Sequence, residues 1–258
     1  MHLTVPGYYE LREYLRRRQA LRPLLAQARH LVLAGPLRRA IVAYHRCVTR
    51  PTPIKTNTLP YVEPFSIEDA TRSLYENGFA AGVRVTPTCV DKLLECYETN
   101  PAQSYNNPHQ DHDFITQLAY NERLVAVARR YLGSEPILLE SRLHRYKPGA
   151  ANNPTYFHYD VGDALSVTFF VFLSDVDDEQ AVTHQVVAGT HRAKTLQELW
   201  THRLEDSQAY ARYPDRVHTI MGKRGTAWFE DPLAFHKHGY VGKFRKAFSL
   251  QYSLHRQP

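Results

Sequence analysis

At Gly133 the chain changes character, and this change limits the folds it can reach. Before it, apolar residues recur at helical spacing; after it, short runs of β-branched and aromatic residues take over. The segment Asp113 to Leu132 places Phe114, Leu118, Leu124, Val125, Val127, Ala128 and Leu132 on one helical face, and Gly133 follows in the usual C-terminal position. Residues 66–77 and 87–99 read as two further helices, the first opening with Ser66 three residues before Asp69, as at a helix start. Beyond Gly133 the spacing predicts strands over Ile137 to His144, Leu165 to Leu173, Thr183 to Val187, Thr226 to Phe229 and Ala247 to Leu254. One helical insertion falls near Leu196 to Tyr210. Helices followed by strands with long connections imply an α+β domain whose sheet closes as a barrel or a double-sheet jelly roll.

With 258 residues, 43% of them hydrophobic, the chain suits one sizeable domain. Its formal charge of +6 is uneven: residues 1–50 hold ten arginines against Glu10 and Glu13, a local +8, leaving −2 for the rest. From Tyr8 to Leu33, Leu11, Leu15, Leu21, Leu24, Leu25, Ala28, Leu31 and Val32 recur at helical spacing with arginines between them, a basic amphipathic helix. Gly35 and Pro36 interrupt it, a second short helix runs to about Val48, and Pro51 and Pro53 deny helix to the connection. The expected organisation is a helical arm over 1–55 and a domain over 56–258, with the strand-rich core at about 137–254. Two readings of the arm stand side by side: its apolar face packs on the domain with the arginines solvated, or it meets an anionic surface such as a membrane. Nucleic acid is not an expected partner, because the positive charge sits in an appendage rather than across the working domain.

Cys47, Cys89 and Cys96 match neither a disulfide framework nor a zinc pattern, which suits a reducing cytoplasm. The start of the chain shows no secretory pattern, and no window approaches the apolar run of roughly 18 residues that a spanning helix needs. The expectation is a cytoplasmic protein, or one peripheral to the inner face of a membrane.

Two His-x-Asp pairs occur, and with 14 histidines in the chain such a pair needs context. His109 and Asp111 sit directly before the strongest helix, where acidic residues act as caps and dipole partners, and read as structural. His158 and Asp160 follow an irregular stretch, Pro148 to Pro154, and precede the most apolar strand, at the expected mouth of a barrel. Residues i and i+2 of an extended chain share a face, so this pair can offer an imidazole and a carboxylate to one ion. A late histidine would complete a two-His, one-carboxylate set, which leaves an iron ion open positions for dioxygen and a bidentate keto acid. His236 and His238 are both candidates. Nine residues beyond His236 stands Arg245, whose planar guanidinium suits a carboxylate.

These segments resemble the phytanoyl-CoA dioxygenase-like branch of the Fe(II)/2-oxoglutarate oxygenases, over about residues 110–254. The likeness rests on His158-Tyr159-Asp160, on Leu165 to Val176 followed by Val186-Val187-Ala188-Gly189-Thr190-His191-Arg192, and on Glu230-Asp231 through His236-Lys237 to Arg245. Ala188 and Thr190 depart from the proline and serine usual in the family's turn. The resemblance implies a double-stranded β-helix, Fe(II) at His158, Asp160 and His236, and 2-oxoglutarate anchored by Arg245. Spacing to Arg245 favours His236 over His238. Asp160 favours hydroxylation, since halogenating members carry a small residue there. Thr168 is a candidate for the keto acid's C1 carboxylate, against its reading as a barrel-wall residue; His191 reads as a turn residue.

Arg142, His144, Arg145, Tyr146 and Lys147 lead towards the metal pair, some pointing inward for an anionic or polyhydroxylated substrate unless all are solvated outer-face charge. Substrates expected from the resemblance are small molecules, acyl compounds, or sugars and glycolipids. Two other readings are a non-catalytic cupin-like binding protein and a metal-dependent enzyme that needs no keto acid.

Overall fold

The computed structural model describes residues 22–48, 52–99, 104–146, 156–176, 183–239 and 245–254. Among these residues eight α-helices lie in chain order: α1 (Arg22–Leu33), α2 (Arg38–Val48), α3 (Ile67–Asn77), α4 (Pro87–Glu98), α5 (Asp113–Ala119), α6 (Glu122–Leu132), α7 (Leu196–Thr201) and α8 (Asp206–Arg212). The strands are β1 (Phe79–Arg84), β2 (Ser104–Asn106), β3 (Ile137–Tyr146), β4 (Phe157–His158), β5 (Ser166–Phe172), β6 (His184–Val187), β7 (Arg203–Leu204), β8 (Val217–Ile220), β9 (Thr226–Glu230), β10 (Phe235–His238) and β11 (Arg245–Ser253). The part of the arm before Arg22, together with Lys147 and Pro148 to Pro154, lies outside the described residues.

Two antiparallel sheets form the core, one ordered β1-β9-β5-β11-β3-β2 and the other β7-β4-β10-β6-β8. From β3 onward the chain passes back and forth between them, the path of a jelly roll. Their inner faces meet: Phe172 and Trp228 of the larger sheet pack with Val186 and Ile220 of the smaller. The outer face of the larger sheet is covered by the helices, with Val167, Phe169, Val171 and Phe248 joined to Leu74, Leu93, Leu124 and Val127 in one core. This two-sided burial explains why β5 is almost wholly buried and why its sequence reads as a continuous apolar run.

Local signals account for the helix ends. The Ser66 side chain accepts from the Asp69 N–H, and Gly78 closes α3 in the left-handed region at φ 83°. The long helix expected over Asp113 to Leu132 is two helices. An isolated bridge from Asn57 meets the break: the Asn57 N–H donates to the Tyr120 carbonyl at 3.0 Å, and the Asn57 carbonyl accepts from Glu122 at 2.9 Å. Asn121 then caps α6 by accepting from the Arg123 N–H. The insertion near Leu196 to Tyr210 is likewise two helices, α7 and α8, separated by β7.

In the described part of the arm Arg29, Arg39 and Arg46 are exposed, as expected of solvated arginines, and Arg38 is the exception. Arg38 of α2 reaches inward: its Nε donates to the Ala164 carbonyl at 2.6 Å, Nη1 to the His191 carbonyl at 2.7 Å and Nη2 to Asp231 at 2.8 Å. Arg46 donates to the Leu132 carbonyl at 2.7 Å, supplying a cation to the C-terminus of α6, and Arg29 donates to the Gly162 carbonyl at 2.8 Å. Leu37, Tyr44 and Val48 face outward instead. The reason is in the domain, which presents a buried carboxylate and several main-chain carbonyls that only fork-shaped donors can satisfy together. Among the described residues no helix is long and apolar enough to cross a membrane.

Asp231 is fully buried and shares Arg38 with the Tyr131 hydroxyl, which donates to the same oxygen at 2.6 Å. Removing the cation strands a buried charge, so Arg38→Met is expected to lower the unfolding free energy by about 3 kcal/mol. Urea titration followed by circular dichroism measures this; an unchanged midpoint and slope would show that Arg38 is not an anchor.

Candidate metal centre

The pairing of β10 with β4 sets His236 directly opposite His158. Their rings lie 4.6 Å apart between centroids. Asp160 follows two residues after His158, and its N–H donates to the Pro232 carbonyl at 2.8 Å, holding it beside the same strand. Asp160 Oδ2 then stands 3.6 Å from His236 Nε2. Among the described residues these are the one group of three or more potential metal ligands, with donor atoms within 4.8 Å of one another. His238 is not part of it; its Nε2 lies 3.2 Å from the Tyr146 hydroxyl.

The orientation of both imidazoles leaves Nε2 for an ion. His236 Nδ1 lies 3.0 Å from the Ala234 carbonyl and 3.3 Å from Glu230 Oε1, and His158 Nδ1 lies 3.4 Å from the Tyr156 carbonyl. Such contacts keep the proton on Nδ1 and the lone pair on Nε2. His236 is buried whereas the Asp160 side chain is 65% exposed, so the group is backed by protein on one side and open on the other. That asymmetry suits an ion that must keep exchangeable positions.

Electrostatics follow from the crowding. Burial opposes charge on His236, yet Glu230 and Asp160 outweigh it and raise its pKa to about 9. His158, half-buried and next to His236, is lowered to about 4 by loss of solvent and by that neighbour. Loss of solvent opposes charge on Asp160, but His236, His158 and Arg142 hold its pKa down to about 2. The donor set is therefore one neutral imidazole, one carboxylate and one imidazole whose proton an incoming cation would replace.

A network behind His236 was not foreseen from the sequence. Glu230 Oε2 lies 2.6 Å from His184 Nε2 and accepts from Trp228 Nε1 at 3.1 Å, all three side chains being buried. Alternation along β9 puts Trp228 and Glu230 on one face, a signal present in the sequence, but their partner His184 belongs to another sheet. The turn resembling the family pattern also serves this region. Gly189 takes φ 77°, and Thr190 Oγ1 accepts from the Phe235 N–H at 2.8 Å, so threonine ties the turn to β10 just before His236. His191 is held in that turn, its Nε2 3.2 Å from the Tyr75 carbonyl.

The triad opens into a cavity of about 720 Å³ that is also lined by Thr168, Arg142, His144, Tyr146, His238 and Ser249. Alternate residues of β3 thus face inward, contrary to the reading of this stretch as solvated outer charge, while Arg145 stacks on the Tyr97 ring at 4.1 Å. His109 and Asp111 lie elsewhere, bonded to Ser141 at 2.7 Å and Tyr105 at 2.5 Å. Arg245 is 1% exposed and sits in the barrel wall, its guanidinium 4.6 Å from the Tyr146 ring centroid and 4.9 Å from that of Phe172. Nη1 donates to the Thr183 carbonyl at 3.5 Å. Burial lowers its pKa only to about 10, so it stays charged at neutral pH.

No protein-family model and no curated protein matches the sequence. Solved structures do. AviO1 from Streptomyces viridochromogenes Tue57 is 16% identical with a TM-score of 0.55, over 76% of this chain and 99% of that one. The epimerase SnoN, solved with Fe3+, alpha ketoglutarate and nogalamycin RO, is 17% identical with a TM-score of 0.58, over 72% and 82%. HygX from Streptomyces hygroscopicus, solved with iron bound, is 15% identical with a TM-score of 0.57, over 74% and 87%. The chain shares their fold.

Glu230 is the centre of the buried network, and Glu230→Ala is expected to cost about 3 kcal/mol by leaving His184 and Trp228 without their acceptor. Glu230→Gln, which keeps an acceptor for Trp228, should cost less. Equal denaturation midpoints for wild type and Glu230→Ala would contradict this.

Proposed function

We propose that this protein is an Fe(II)/2-oxoglutarate-dependent oxygenase, with the metal held by His158, Asp160 and His236. The observation that supports this best is the convergence of those three donors from two strands onto the open mouth of a jelly roll. When bound, iron and 2-oxoglutarate supply oxidative decarboxylation to succinate and carbon dioxide, with the oxidising equivalents spent on a substrate C–H bond.

The residues have separable tasks in this reading. His158 and His236 offer Nε2 while main-chain carbonyls hold their Nδ1 protons, and Glu230 steadies His236 from behind. Asp160 fills the third position with a carboxylate, favouring hydroxylation. Arg245 takes the distal carboxylate of the keto acid, reached past Tyr146 and His238, both of which line the cavity. Thr168, inward-facing on β5 and opposite Glu230 in register, is placed to donate to the C1 carboxylate. Phe170, Phe172 and Trp228 keep the inner end of the barrel apolar and dry, which strengthens the ionic contacts made there. The substrate is a small molecule, in keeping with the nogalamycin compound bound to SnoN. SnoN is described as an epimerase and SnoK, of similar fold, as a carbocyclase. Incorporation of labelled dioxygen into product would therefore identify hydroxylation.

Anaerobically purified protein given Fe(II), 2-oxoglutarate and air should form succinate, and His158→Ala and Asp160→Ala should abolish it. Arg245→Ala should raise the 2-oxoglutarate concentration for half-maximal turnover by about a hundredfold, the loss of a buried charge-assisted pair, with nickel binding intact. A wild type that binds metal but makes no succinate would favour a cupin-like binding protein. Turnover of any substrate without a keto acid, unaffected by Arg245→Ala, would favour a metal enzyme of another kind.

A further inference from the structure

Resting on that reading, we infer that Arg142 anchors an anionic group of the substrate, which makes the substrate a small polar molecule bearing a carboxylate or phosphate. The cavity itself narrows the class. Among the described residues, apart from Tyr146, its apolar lining is confined to Val161, Phe170 and Pro232, whereas Ser104, Glu140, Arg142, Ser249 and Gln251 present polar groups. The described residues offer no continuous apolar wall for an acyl chain, and dispersed hydrogen-bonding groups suit a hydroxylated ligand.

Arg142 is the group in this lining that calls for an anion. Its Nε is buried with no hydrogen-bond partner among the described residues, while Nη2 donates to Glu140 at 3.1 Å. A buried N–H without an acceptor is unfavourable unless a ligand meets it. Glu140 lies two residues away on the same strand face, so it pins one end of the fork and leaves the Nε edge for another acceptor. The neighbouring arginine is committed elsewhere: Arg145 donates to the Tyr97 carbonyl at 2.5 Å. Arg142 lines the same cavity as His158, Asp160 and His236.

Two arginines on one barrel wall raise the question of which anion each serves. In the β3 to β11 ladder Arg142 pairs with Ser249 and Arg245 with Tyr146. Their backbone positions are four residues apart along the strands, roughly 13 Å. Arg245 lies within the wall behind Tyr146, and Arg142 lines the cavity beside Asp160. The keto acid and the substrate can thus each meet a separate guanidinium, and a substrate held at Arg142 would present its uncharged part to the metal.

Titration calorimetry on protein saturated with Ni(II) and 2-oxoglutarate tests this without turnover. The probes are glycerol 3-phosphate against glycerol, and 3-hydroxypropionate against propane-1,3-diol. At least one anion should bind the wild type about tenfold more tightly than its neutral match, and which one does so tells phosphate from carboxylate. Arg142→Gln should erase that preference while its melting temperature, nickel stoichiometry and 2-oxoglutarate affinity stay as in wild type. Arg142→Lys, which keeps the charge and loses the fork, should restore part of it. Equal binding of anions and neutral matches, or an anion preference that survives in Arg142→Gln, would overturn the assignment. So would loss of 2-oxoglutarate affinity in Arg142→Gln, which would give this guanidinium to the keto acid and leave the proposed reaction standing. Failure of the nickel-loaded wild type to bind 2-oxoglutarate, with the anion preference still dependent on Arg142, would instead contradict the reaction and keep the anion site.

Discussion

Pairing of β4 with β10 is a short piece of structure, yet it places His158 opposite His236 and delivers Asp160 beside them. Two backbone segments far apart in sequence become a single surface with three donors. A slip of one residue in either strand would turn its histidine to the other face, so the site depends on this register. The register is held from several directions. Asp160 is tied to Pro232, the Thr190 hydroxyl to Phe235, and Asp231, just before these two anchors, is clamped by Arg38 and Tyr131. The interior β10 strand is also paired with β6 along its full length.

This arrangement divides the barrel into two zones. At the inner end, buried charge and aromatic rings dominate: Glu230 with His184 and Trp228, and Arg245 between Tyr146 and Phe172. At the mouth, Asp160 and Arg142 are partly exposed and the lining is polar. A buried zone strengthens ionic contacts and excludes water, while an open zone admits ligands. The two zones meet at His236, whose Nδ1 faces the buried carboxylate and whose Nε2 faces Asp160.

Much of this was legible in the sequence where the signal is local. Ser66 and Gly78 bound α3, the β-branched and aromatic runs mark β3, β5, β9 and β11, and the two His-x-Asp pairs differ visibly in their surroundings. What the sequence hid depends on partners distant in the chain. At the break, Asn121 and Glu122 carry a local helix-start signal, but Asn57, which hydrogen-bonds into the gap, is distant in the chain. Arg38 of α2 answers a carboxylate nearly two hundred residues away, a contact that helical periodicity does not indicate. His184, Trp228 and Glu230 form a network only after two sheets meet. Short strands such as β4 and β7 have too few residues for any period to show.

The central claim, that this triad holds an ion with room for a chelating keto acid, is tested most directly by absorption spectroscopy without oxygen. Adding Fe(II) and then 2-oxoglutarate should produce a visible charge-transfer band that saturates at one iron per chain and is absent in His236→Ala. Iron that binds with no such band on adding the keto acid, or an identical band in His236→Ala, would contradict the account.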